Sequence, residues 1–214
     1  MKSLSAMLAA SATCPMTQLQ GASRSQGNEP WTHPAYCIRT AREPVCVYTD
    51  ADFHFGQGIS VVARSSTAAK LVASGLLDRS VFEVSNAAAA SVKYEALQTA
   101  GSGTGLFVKA GETIRAGERV LVDYPTLVNG HVGEDMPREV RRVLQWRAVL
   151  QLPRETRRRS RALARSNGVD ADEIDDVLWT NSFTHEKADA MHDVLFTEAA
   201  VSDHSISIQD IWRC

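Results

Sequence analysis

Three of the five residues from Gly101 to Gly105 are glycine, and the apolar run Leu106-Phe107-Val108 comes directly after them. Nothing else in the chain restricts the local fold so much. Positions without a side chain allow left-handed backbone and let a ligand or another backbone come close. The element that such a loop opens decides between the chemistries that use it. A dinucleotide site needs G-x-G-x-x-G opening a helix whose N-terminus meets the pyrophosphate, and a P-loop needs Gly-Lys-Ser/Thr at the same place. Here the pattern is G-x-G-x-G, Leu106–Val108 lack helical spacing, and Lys109-Ala110-Gly111-Glu112 turns the chain. Both phosphate readings fail on context. There remains a glycine loop running into a strand, its bare backbone close to a ligand or another strand. Leu106–Val108 and Arg119–Tyr124 are then expected to form a hairpin-like unit.

The rest of the chain divides at about Val128. Before it, the turn-rich Asp50–Gln57 separates two β-type runs, Val45–Thr49 and Gly58–Ala63. Residues 66–79 carry Leu71, Leu76 and Leu77 and read as a short helix that Gly75 weakens. After it, Val140, Val143, Leu144, Trp146, Val149 and Leu150 recur at helical spacing, and Pro153 ends that helix. A second helix runs on toward Asn167-Gly168, and a third starts near Ala171 with Ile174, Val177 and Leu178 on one face. The expected order is strands, a hairpin, three helices and a short tail. Trp146 and Trp179 fall on the apolar stripes and are expected in the core, and Trp31 is assigned packing only.

With 214 residues, 44% hydrophobic and 22% charged, the composition is that of an ordinary globular protein. The net charge of −2 points neither to a nucleic-acid binder nor to an acidic tail, and no apolar run approaches the length of a membrane span. Residues 1–30 form a signal-like or disordered start and linker. Leu4–Ala10 followed by Ala10-Ser11-Ala12 has the outline of a secretory signal, and equally that of a disordered Ala/Ser-rich start. Of the four cysteines (14, 37, 46 and 214), Cys37 and Cys46 would form a local disulfide if the chain is exported and remain buried thiols in the cytosol.

Three stretches together resemble one family. Gly101–Val128, "GSGTGLFVKAGETIRAGERVLVDYPTLV", is similar to the opening of a SET domain, in which G-x-G precedes a "GLF" strand and an "I-x-x-G-E" turn. "WTNSF" (Trp179–Phe183) and "HDVLFTEA" (His192–Ala199) resemble the fungal subgroup of SET-domain proteins, as does the segment from Trp31 to Val62 before the domain. The resemblance covers roughly residues 31–64 and 101–200. It implies an α+β fold of small, mostly antiparallel sheets and hairpins with a helical insert. It also implies S-adenosylmethionine as cofactor and a protein lysine side chain as substrate. The cofactor-binding residues so implied are Gly101, Ser102, Gly103, Thr104, Gly105, Leu106 and His204. The domains expected are a β-rich segment with a short helix over 31–98, a partial SET domain over 99–200 with its insert at 137–183, and a non-family tail over 201–214.

The chain departs from the family after "LFTEAA". The second family motif, N-H-S/D-C-x-P-N, meets "VSDHSISIQDIWRC". His204 and Ser205 match, Asp203 stands where Asn is expected, and the Cys and Pro are missing. The third motif, with the catalytic tyrosine, would come tens of residues later, and no residue after His204 is a tyrosine. The resemblance therefore implies a SET domain incomplete at its C-terminus, with no catalytic residue to assign and weak or no methyl transfer. The tail reads either as a degenerate motif or as translated intron, since Val201-Ser202 is what the splice-donor sequence GTAAGT encodes in frame. The second of these is the expectation.

Two further patterns bear on chemistry. His185 and His192 would share a helix face two turns apart, but the H-E-x-x-H spacing of a metalloprotease is absent, so no metal site is assigned and a solvated helix or loop is expected. Residues 138–165 hold ten arginines against Glu139 and Glu155, and the acidic stretch Asp170–Asp176 comes next. A basic face of that kind could serve a non-catalytic interaction module, which is the alternative function. Nucleic acid is not the expected partner, because the acidic stretch can neutralise the arginines.

Overall fold

A computed structural model of the protein describes residues 30–77, 93–99, 103–116, 118, 123–131, 136–166 and 172–201. Six strands form one sheet: β1 (Tyr36–Ile38), β2 (Val45–Asp50), β3 (Ile59–Arg64), β6 (Pro125–Gly130), β7 (Ser182–Lys187) and β8 (Ala190–Phe196). Their order is β1-β2-β3-β6-β8-β7, and every pair is antiparallel except β3–β6. Two more strands, β4 (Tyr94–Thr99) and β5 (Gly103–Val108), make a separate antiparallel hairpin. The α+β class expected from the sequence is the one observed, with one six-stranded sheet where small sheets were expected.

The strands form where β-branched residues cluster, and the central ones are apolar on both faces because both faces are covered. The residues of β3 from Ile59 to Ala63 are all buried. On one face, Val45, Val47, Val62, Leu127 and Leu195 meet Leu144, Ala148 and Val149 of α3 (Arg138–Gln151) and Ile174, Val177 and Leu178 of α5 (Glu173–Asn181). The same face carries polar groups that find partners. Ser60 Oγ donates to the Ala148 carbonyl at 2.9 Å, and Thr49 Oγ1 donates to Gln151 Oε1 at 2.7 Å. On the other face, Ile59, Val61, Ala63, Val128, Val194 and Phe196 pack with Phe53, Leu76, Tyr124 and Ala199 and with Ala68 and Leu71 of α2 (Ser65–Ala73).

The helices obey their punctuation. α2 stops two residues short of Gly75, whose φ is +84°. Pro153 separates α3 from α4 (Arg154–Arg161). The Asp172 side chain caps α5 by accepting from the Ile174 and Asp175 N–H groups. Between β2 and β3 lies α1 (Phe53–Gly56), a single turn in which His54 and Phe55 both adopt left-handed backbone.

Several expectations need correction. Leu106–Val108 pair with Tyr94–Ala96, not with the run ending at Tyr124. Residues 119–122 of that run lie outside the described residues, and Asp123 and Tyr124 are not in a strand. The segment "HEKADAMH" is not a helix. It is the β7–β8 hairpin, turning at Ala188 and Asp189, both with left-handed backbone. Two strands therefore come between the three helices and the tail. α4 ends at Arg161, before the expected stop, and residues 167–168 lie outside the described residues. Trp146 is partly buried against the helix-side core, but Trp179 is 82% exposed. The signal-like segment, Cys14, Cys214 and the tail from residue 202 also lie outside the described residues.

Cys37 of the edge strand β1 and Cys46 of β2 face each other in register and are joined by a disulfide. The six-stranded sheet joins β1, β2 and β3 from the first half of the chain to β6, β8 and β7 from the second through β3–β6.

Candidate functional site

Gly103, Thr104, Gly105 and Leu106 lie in β5, while Gly101, Ser102 and His204 lie outside the described residues. The glycine run thus feeds a strand and not a helix, which removes the geometry that phosphate cradling needs. Left-handed backbone is not what glycine supplies to this strand. Among the described glycines positive φ occurs at Gly56, Gly58, Gly75 and Gly111, and the last of these turns the chain after β5. At Gly105 an added Cβ would lie 3.0 Å from Phe107 Cε2. Successive same-face positions of a strand are two residues apart, so the ring of Phe107 covers the face that Gly105 leaves bare. Phe107 is 41% exposed and offers an aromatic surface beside the glycines.

β5 packs against the 3₁₀ turn Ala199–Val201 that lies just beyond β8. That turn is held by Asp123. Its Oδ2 accepts the Glu198 N–H at 2.6 Å and the Ala199 N–H at 2.8 Å, and its Oδ1 accepts the Tyr124 N–H at 2.7 Å. Asp123 is buried, and burial pushes its carboxyl up to about 6 despite the three N–H groups that favour the charged form. The Glu198 carboxylate adds to the rise. Tyr94, the first residue of β4, is raised too, by burial and then by the fields of Glu198 and Asp123. Arg159 of α4 reaches Glu198 Oε1 at 3.1 Å. The glycine hairpin, the Arg-rich helix and the ends of β6 and β8 therefore converge on residues 198–201.

No family model, curated protein or solved structure matches the chain. The chemistry of the site therefore has to come from its own geometry.

Tyr124, next to Asp123, stacks on His54 with ring centroids 3.3 Å apart and 26° between planes, and burial lowers the His54 pKa. The left-handed turn that carries His54 is fixed by neighbours: Gly58 N–H donates to the Phe53 carbonyl at 3.0 Å, and Thr156 of α4 donates to the Gln57 carbonyl. His185 and His192 are register partners across β7–β8. His192 is buried, bonds through Nε2 to the Lys187 carbonyl at 3.0 Å, and has its pKa lowered first by burial. Among the described residues no group of three or more His, Cys, Asp or Glu is arranged to hold a metal ion.

Many of the arginines are engaged within the fold. Arg138 and Arg142 meet Asp175, Arg161 meets Glu173, and Arg158 and Arg159 meet Glu155. Arg147 and Arg161 lie over the rings of Tyr36 and Trp146. The acidic start of α5 thus takes up part of the basic charge next to it. None of the described helices is long and apolar enough to cross a membrane.

Sequence reasoning missed Asp123, Phe107, Glu198 and the His54–Tyr124 stack. A phenylalanine two residues beyond a strand glycine is a readable signal for Phe107. Asp123 gives none, because its partners are 75 and 76 positions away.

Proposed function

We propose that this chain is a SET-type domain that binds S-adenosylmethionine at β5 and the 199–201 turn, in the class of protein-lysine methyltransferases, with weak or no methyl transfer of its own. The observation that carries the reading is the entry of the glycine run into a strand packed on that turn. The resemblance expects the second family motif immediately beyond the turn. The residues present fit a cationic cofactor: the carboxylates of Asp123 and Glu198 lend this corner negative potential, and the Phe107 ring, lying over Gly105, supplies an exposed apolar face.

Bound there, the cofactor supplies an already activated methyl group. The chain's own part is to orient and to exclude water. β5 offers extended backbone polar groups, and Phe107 shields one side. Deprotonating the incoming lysine ammonium needs an ordered substrate channel, and here the second family motif is altered, with Asp203 where the family has Asn and its Cys and Pro missing. The expected behaviour is binding without efficient turnover.

Calorimetry of the full chain with S-adenosylmethionine is expected to show saturable binding, weakened at least fivefold by Phe107→Ala. No binding by the wild type would end this reading. Robust methylation of a lysine peptide would overturn the claim of weak transfer.

A further inference from the structure

We propose that Asp123 is a positioning residue: its carboxylate holds residues 198–201 against the glycine hairpin, so that the cofactor corner exists only while this clamp is closed. The cofactor half of this inference rests on the function proposed above. The clamp half rests on geometry alone.

Three observations carry it. One carboxylate takes both consecutive N–H groups of Glu198 and Ala199, at 2.6 and 2.8 Å, where the chain leaves β8. Its other oxygen takes the N–H of Tyr124, the residue just before β6, so the side chain that reaches the exit of β8 is itself fixed at the entry to the adjacent strand. β5 then packs on the turn that is so held. Charge-assisted bonds from backbone N–H groups to a buried carboxylate are among the stronger hydrogen bonds in proteins, and leaving such donors unmet inside the fold is costly. The charged and titratable groups around the clamp are Glu198, which shares the turn, Tyr94 from β4, and Arg159 from α4, itself shared with Glu155. His54 of α1 faces it through the Tyr124 ring. Arg159 pairs with the Glu198 side chain, while the Glu198 N–H donates to Asp123.

A structural role spread over the whole sheet would loosen everything together. A clamp acts locally, and amide hydrogen exchange on the full labelled chain separates the two. In Asp123→Asn, protection at Glu198 and Ala199 is expected to fall at least tenfold, while Val61 and Val62 at the centre of the sheet keep theirs. In the wild type, which needs no variant to fold, the amide resonances of Tyr124, Glu198 and Ala199 should titrate together with the Asp123 carboxyl carbon. Amides that ignore that titration, or unchanged protection in Asp123→Asn, would overturn the clamp. For the cofactor half, the variant should bind S-adenosylmethionine at least tenfold more weakly than wild type. Lost protection with unchanged affinity would overturn the coupling. A wild type that fails to bind while the amides behave as expected removes the cofactor reading and leaves the clamp standing.

Discussion

Gly58 combines a φ of +78° with a position where an added Cβ would lie 2.4 Å from Pro153 Cδ. Left-handed backbone costs an ordinary residue about 1–2 kcal/mol, and the proline ring belongs to the rigid junction between α3 and α4. Gly58→Ala is therefore expected to lower stability by about 3 kcal/mol in urea unfolding. Two buried titrating groups act in opposite directions. Asp123 is raised from 3.8 to about 6 in the folded chain, so its contribution is full below its unfolded value and is lost as pH rises through about 6. His192 is lowered from 6.5, so its contribution is full above 6.5 and is lost as pH falls below it. Between about pH 4 and pH 7 the wild type should lose up to about 3 kcal/mol relative to Asp123→Asn, whose own curve keeps the opposite slope from His192. Chemical unfolding at several pH values checks both signs. None of this was legible locally. In "VLVDYP" Asp123 looks like any loop aspartate, and its role appears only when residues 198 and 199 fold back onto it.

Among the elements, those whose period matched their environment were readable. β2 and β3 were marked by β-branched runs, and α3 by a stripe that ends at a proline. β7 and β8 were not. The pair of histidines in "HEKADAMH" fits two helical turns as well as a tight hairpin, and its turn residues Ala188 and Asp189 are not the Asn-Gly pair that marks such a turn. β4 was missed because "YEALQT" holds no β-branched residue before its final threonine, so its sequence carries little strand signal. The β7–β8 turn makes a test at this scale. Ala188→Gly relieves left-handed backbone at φ 56° and leaves the Lys70–Asp189 ion pair in place, so it should stabilise the chain by about 1 kcal/mol in thermal or urea unfolding. Trp179, expected inside and found outside, shows the limit of counting a stripe: its neighbours Val177 and Leu178 fill the face that α5 presents to the sheet.

For the whole molecule, the class of fold and the run of three helices after residue 137 could be read in advance, but not the way one sheet gathers strands from both halves of the chain. The disulfide acts at this level because it pins the edge strand β1 to the rest. It closes a loop of sequence separation 9, for which chain-entropy reasoning gives about 2.5 kcal/mol. Mild reduction, or Cys37→Ser, should lower stability by about that amount with far-ultraviolet dichroism almost unchanged. The parallel pairing of Val61 with Val128 also governs how the protein comes into being. While the chain is being synthesised, β1, β2 and β3 can assemble early as a meander, yet the inner border of β3 finds its neighbour only after residue 130 has emerged. Until then a hydrophobic ribbon waits with open bonding groups along one side, and that interval is when a nascent chain of this kind is most exposed to aggregation.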